Sequence, residues 1–210
     1  MDTFKKEQFT TDSKEPLKLL QENSTRWNSS FYMIKRINKA SEALNRSLLQ
    51  LNKAPSPLSL KECTTLKKIE TVLSCFEEAT IKIQGNNYTT ISLIIPLTFG
   101  IFTYLTKKLL DLTTEDVRKL CLNLLESVKT RLFLYETRSV TRLATILDPR
   151  FKKEGFRSSD NANEASSLLG QEMLGILKKK EMKTKHLRLK MKIQYPNANE
   201  SLLNLNSLDF

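Results

Sequence analysis

The sequence predicts a mainly α-helical protein, and three observations support this prediction. The 210 residues include only 5 Gly and 6 Pro, which is too few for a turn-rich all-β fold. Several stretches place apolar residues at steps of three and four, the spacing of an amphipathic helix. With 40% apolar and 27% charged residues, the composition is that of one ordinary folded domain and not of a disordered chain.

The first predicted helix runs from about Trp27 to Leu51, where apolar residues recur at helical spacing with a weaker stretch near Asn38. Pro55 and Pro57 end it, because proline lacks an amide hydrogen and restricts the residue before it. The sequence therefore predicts a loop between this helix and the next.

The second predicted helix begins at a capping box formed by Ser59 and Glu62, in which each side chain bonds a free amide of the first turn. It continues to about Lys82. The third helix covers about residues 90–110 and is apolar nearly all round, so we expect it at the centre of a helical bundle. Pro96 is expected to kink this helix or to delay its start.

The most apolar stretch, residues 91–105, is shorter than the roughly 20 residues that a membrane-spanning helix needs. It also contains Pro96 and the polar residues Ser92, Thr98 and Thr103. Residues 1–11 are polar and show no secretory signal pattern. We therefore expect a buried core helix and no membrane contact.

The fourth predicted helix, residues 114–136, has the cleanest apolar periodicity in the chain. A short apolar helix at 139–147 follows and stops at Asp148-Pro149. Residues 155–163 are predicted as a loop, and a last helix is expected over residues 164–180. Beyond it, apolar residues alternate with cations from 187 to 193, so a strand and an extension of the basic helix remain alternatives.

Charge is concentrated near the C-terminal end. The chain has 34 Lys+Arg against 23 Asp+Glu, a net charge of +11, which favours anionic partners. Residues 178–192 hold eight cations and one Glu, a net charge of +7. We interpret this basic segment as a phosphate-binding site, with a solvated helix face as the alternative. Its candidate DNA-binding residues are Lys178, Lys179, Lys180, Lys183, Lys185, Arg188, Lys190 and Lys192.

The residues typical of catalytic and metal sites are scarce. His186 is the single histidine of the chain. One histidine argues against most metal sites and against any catalytic triad that needs a second histidine nearby. Cys63, Cys75 and Cys121 are too far apart for a zinc site or a disulfide framework, so buried reduced thiols are expected. No phosphate-binding glycine loop occurs. The sequence therefore predicts no enzyme, no metal, no cofactor and no small-molecule substrate.

Three motifs follow one another along the chain. They are STRWNSS at residues 24–30, YTTIS at 88–92 followed by IPL at 95–97, and ATILDPRFK at 144–152. In this order and at these distances they resemble the hAT superfamily of DNA transposases, in particular its zinc finger BED domain-containing members. The similarity extends over about residues 17–156.

The resemblance implies part of a ribonuclease-H-like fold followed by a helical insertion domain. Relatives also carry a BED zinc finger, upstream catalytic aspartates, a downstream catalytic glutamate and a C-terminal dimerisation region, none of which we identify in this sequence. The resemblance therefore implies a truncated, catalytically inactive relative. It also implies that Arg26 contacts a DNA phosphate and that Trp27 stacks on a base or packs nearby.

Five regions are expected on this basis. They are a polar N-terminal segment (1–23), the edge of the ribonuclease-H-like region (24–54), a helical insertion-like domain (55–156), a helix with the basic segment (157–194) and a flexible tail (195–210).

The function expected from these observations is DNA binding in the nucleus by a domesticated transposase remnant. One alternative is a helical interaction module that pairs with a homologous transposase-like protein. Another is a decayed element without a selected function.

Overall fold

The computed structural model of the chain describes residues 3–9, 17–23, 27–85 and 90–194. Within these ranges the regular structure is entirely helical and no strand occurs. The mainly α fold class predicted from the sequence is therefore confirmed. The α-helices are α1 (Thr3–Phe9), α2 (Trp27–Leu49), α3 (Leu60–Ile83), α4 (Ile94–Asp111), α5 (Glu115–Ser127), α6 (Ser139–Leu147) and α7 (Ser159–Gln194).

α2 packs against both α1 and α3. It runs without a break through Asn38, so the weaker apolar spacing there does not loosen the helix. The Asn38 side chain instead donates a hydrogen bond to the Glu70 carboxylate of α3 at 2.7 Å. On the other side of α2, the Glu7 carboxylate of α1 accepts a hydrogen bond from Arg46 at 2.9 Å.

The predicted capping box at the start of α3 is present. The Ser59 amide donates to the Glu62 carboxylate at 2.8 Å, and the Glu62 amide donates to the Ser59 hydroxyl at 3.2 Å. The proline loop before it is tied back to α2, because Asn45 bonds both the carbonyl and the amide of Leu58 at 3.0 and 2.9 Å. Local sequence therefore determines this loop and the helix after it.

α4 is preceded by a 3₁₀ turn over Ile91–Leu93, and Pro96 lies in its first helical turn. The first amides of a helix have no intrahelical acceptor, so a proline there costs no hydrogen bond. Pro96 accordingly delays the helix and does not kink its interior. α4 contacts α3, α5 and α6, which gives it the predicted central position.

The main core lies between α3, α4 and α5, and a smaller cluster joins the start of α4 to the start of α7. The main cluster consists of Val72, Ala79, Ile101, Leu105, Val117, Cys121, Leu125 and Val128. Cys121 is fully buried, whereas Cys63 and Cys75 are half-buried, and all three cysteines are free thiols.

The fourth predicted helix changes its winding after Ser127. A π-helical turn covers Val128–Leu132 and a 3₁₀ turn covers Phe133–Thr137, so the regular helix is shorter than its periodicity indicates. Tertiary contacts accompany the change. The Phe133 ring packs on Phe102 with centroids 5.2 Å apart, and the buried Glu136 forms an ion pair with Arg157 at 3.3 Å.

α7 corrects two predictions at once. It begins at Ser159, inside the predicted 155–163 loop, and continues to Gln194, well past the predicted end at residue 180. The alternation over residues 187–193 is therefore part of a helix and not a strand. A period of two over seven residues is too short to outweigh continuation of a helix already formed.

The turn after α6 is organised around the Asp148 carboxylate. It accepts hydrogen bonds from the Arg150 guanidinium at 2.7 Å, from the Arg150 amide at 3.0 Å and from the Ser92 hydroxyl at 2.7 Å. These bonds, those from Arg150 most of all, lower the pKa of Asp148 below its usual value. The predicted stop of α6 at Asp148 is thus confirmed, and Arg150 meets an acid there.

Gly155 permits the close approach of this turn to α4 and α6. A Cβ at this position would lie 2.7 Å from Thr145 Cγ2, 2.9 Å from Phe151 Cβ and 3.3 Å from Pro96 Cγ. Because Thr145 is fully buried, its methyl group has little room to move. Only glycine fits here without a shift of the surrounding atoms.

We predict that Gly155→Ala lowers the free energy of unfolding by about 1–3 kcal/mol through overpacking. Gly170→Ala is the matched control, because a Cβ at Gly170 meets nothing within 4 Å and alanine favours the helix by up to about 1 kcal/mol. Urea denaturation measures both. Equal stability of the two variants would contradict the close approach at Gly155.

We also predict a pH-dependent effect of Asp148→Asn. A carboxylate whose pKa is lowered by folding stabilises the native state above its unfolded pKa, about 3.8, and this stabilisation is lost as the pH falls below that value. The wild type should therefore exceed the variant in urea midpoint at pH 7, and the gap should shrink at pH 3. A gap of the same size at both pH values would refute the assignment.

Candidate nucleic-acid interface

The predicted basic segment, residues 178–192, lies entirely within α7. Its seven lysine side chains are exposed, and Arg188 is half-buried. The segment is about 21 Å long, because an α-helix rises 1.5 Å per residue. The structure therefore places all eight predicted cations of this segment on one continuous helix.

α7 packs on the bundle only through its first turns. Ala162 and Ala165 are buried in the small cluster with Ile95 and Phe156. From Gly170 to Gln194, by contrast, no residue is buried. The basic segment consequently lies on a part of the helix where most side chains are exposed, with Thr184, Arg188 and Met191 half-buried along one side.

The lysines of the basic segment carry charge that no described residue neutralises. Within the described ranges none of these seven lysines forms an ion pair, whereas Lys35, Lys82 and Arg142 elsewhere do. A charge of +7 over about 21 Å produces a strong local potential and repels itself. An anionic partner relieves this repulsion, and a row of phosphates supplies charges at a similar density.

Of the other two predicted DNA-contacting residues, Arg26 and Trp27, only Trp27 lies within the described ranges. Arg26 lies outside the described residues, and Trp27 is the first residue of α2. α2 packs on α1 and α3, whereas α7 packs on α6, so Trp27 and the basic segment belong to different parts of the molecule. The YTTIS motif is also only partly described, because Tyr88 and Thr89 lie outside the described ranges.

Two other side chains of α2 have structural roles. The Ser29 hydroxyl accepts a hydrogen bond from the Asn23 amide at 2.9 Å and donates one to the Asn23 carbonyl at 2.7 Å. The Arg36 guanidinium donates to the Lys18 carbonyl at 2.8 Å. Both side chains hold the extended segment 17–23 against α2.

An open groove of about 680 Å³ lies between α3, α4 and the turn after α6. Its titratable lining groups are already engaged: Glu78 pairs with Lys82 at 2.7 Å, and Arg150 is held by Asp148. Burial raises the pKa of the Cys75 thiol to about 12, which keeps it protonated at neutral pH. The groove therefore presents an apolar surface and no activated nucleophile.

Two further features concern metal binding and membrane contact. Among the described residues no three His, Cys, Asp or Glu side chains are grouped as a metal site requires. Residues 91–111 are long and apolar enough to cross a membrane, a test that core helices also pass. Ile101 and Leu105 of this stretch are buried against α3 and α5, whereas Ile91, Phe99 and Leu110 are exposed.

Sequence reasoning missed two residues that position α7. Gly155 and Phe156 stood in a predicted loop, yet both are buried and connect the Asp148 turn to the start of α7. The helical spacing of Ala162 and Ala165 was the signal available in the sequence.

No protein-family model matches the chain, and no curated protein or solved structure shows significant similarity to it.

Proposed function

We propose that this chain is a DNA-binding protein whose basic segment contacts the phosphate backbone, and that it derives from a hAT transposase without retaining catalysis. The observation that carries the proposal is the exposure of seven lysines on the C-terminal half of α7, none of which forms an ion pair with a described residue. Phosphate contacts of this type bind with little sequence preference and with strong salt dependence. The three family-like motifs support the derivation.

The proposal predicts a defined salt effect. In fluorescence-anisotropy titrations with duplex DNA, the logarithm of the affinity should fall steeply with the logarithm of the salt concentration. Changing Lys178, Lys179, Lys180, Lys183 and Lys185 to Ala should reduce this slope by up to about 4.5, because each lost phosphate contact removes roughly 0.9.

The matched control removes five exposed lysines from the remainder of the chain. These are Lys53, Lys61, Lys67, Lys107 and Lys119, none of which forms an ion pair within the described ranges. The net charge changes equally in both variants, so the control should keep a slope close to that of the wild type. Equal losses would show that total charge and not the basic segment determines binding.

A second candidate function is pairing of α7 with a second copy of this chain. Met173, Leu177 and Leu187 are more than half exposed, and with Met191 they follow helical spacing along one side of α7. They are also placed symmetrically about residue 182. A two-fold antiparallel pair therefore brings Met173 of one copy beside Met191 of the other, and Leu177 beside Leu187.

This pairing predicts a dimer that strengthens with salt, because salt screens the repulsion between two basic segments. Sedimentation velocity in about 0.5 M salt should show the dimer for the wild type and a monomer for Leu177→Asn with Leu187→Asn. Leu60→Asn with Leu110→Asn, at exposed positions on α3 and α4, is the control and should still dimerise. A wild-type monomer at high salt would rule this candidate out.

A further inference from the structure

The cations of the basic segment fall into two lines along α7. At 3.6 residues per turn, Lys178, Lys185 and Lys192 form one line, because they are seven residues apart. Lys179, Lys183 and Lys190 form the other, about 140° around the helix from the first. Each line borders one flank of the same exposed helix face.

Between the two lines lies a narrow apolar stripe. It consists of Met182, Leu189 and Ile193, whose side chains are 69%, 58% and 75% exposed. Nothing in the described part of the chain covers this stripe, because no residue from 170 to 194 is buried. The face therefore presents a mainly apolar centre, with the exposed His186 at its edge, and a line of positive charge on either side.

We propose that this face of α7 lies in the major groove of duplex B-form DNA, a statement that rests on the phosphate binding proposed above and specifies its geometry. The major groove is about 12 Å wide and admits one α-helix, with a phosphate strand along each side. The two lysine lines then reach the two strands. The apolar stripe faces the groove floor, where thymine methyl groups are the apolar contacts.

Other anionic partners fit this face less well. The major groove of A-form RNA is too narrow for side chains to enter, and a single strand offers one line of phosphates, not two. A helix that lies on a membrane surface buries a broad apolar face. The stripe here consists of only three residues and is bordered closely by lysines on both sides. This arrangement favours a groove between two phosphate strands.

The test compares two double variants that remove the same charge. Lys183→Ala with Lys185→Ala takes one lysine from each line, whereas Lys67→Ala with Lys119→Ala removes two exposed lysines that lie outside the basic segment, on α3 and α5. In titrations of the full chain with a 20-base-pair DNA duplex, the first pair should lower the salt slope by about 2, and the second should leave it nearly unchanged. Circular dichroism checks that α7 stays helical in both.

The partner comparison uses the same chain with RNA duplex and single-stranded DNA of equal length, and with phosphatidylserine-containing vesicles. We expect the DNA duplex to bind at least tenfold more tightly than the RNA duplex. RNA duplex, single-stranded DNA and vesicles, each added at equal phosphate concentration, should not displace the DNA duplex from the protein. Equal slopes for the two double variants, equal affinity for RNA, or preferential vesicle binding would overturn the groove geometry. Absence of binding to every nucleic acid would instead remove the proposed function itself.

Discussion

The Asp148 carboxylate holds together the region from which the candidate interface extends. It fixes the turn after α6 through Arg150 and ties that turn to Ser92, directly before α4. The Thr145 hydroxyl adds a bond to the Ser92 carbonyl at 3.2 Å. Because Gly155 then lets the chain pass close to α4, Phe156 enters the small core cluster and α7 starts in a defined position. The direction of the basic segment depends on this arrangement.

α7 combines two parts with different physical support. Its first turns are held by tertiary packing, whereas residues 170–194 rely on helix propensity and on continuation from the packed turns. An unpacked helix is only marginally stable in water, and the repulsion within the basic segment weakens it further. Phosphates along its flanks would neutralise that repulsion. Binding and helix stability are therefore coupled in the geometry that we propose.

The family-like motifs can be assessed by what their residues touch. In ATILDPRFK, Thr145, Asp148 and Arg150 form hydrogen bonds within the chain, and in STRWNSS, Ser29 holds the preceding segment. These contacts maintain local structure. The two proposed interactions use different sides of α7. The side with Leu177 and Leu187, proposed to pair with a second copy, lies nearly opposite the side with Met182 and Leu189, proposed to face DNA.

The sequence by itself determined the helical class, the boundaries of α2, α3, α4 and α6 within a few residues, and the location of the basic segment. These features depend on neighbours along the chain: a capping box, prolines, apolar spacing and the sum of nearby charges. Only the tertiary structure decided where α7 begins and ends, which phenylalanine near residue 155 is buried, and that no side chain of the basic segment is fully buried. Burial and open surface depend on residues distant in sequence, so local patterns cannot specify them.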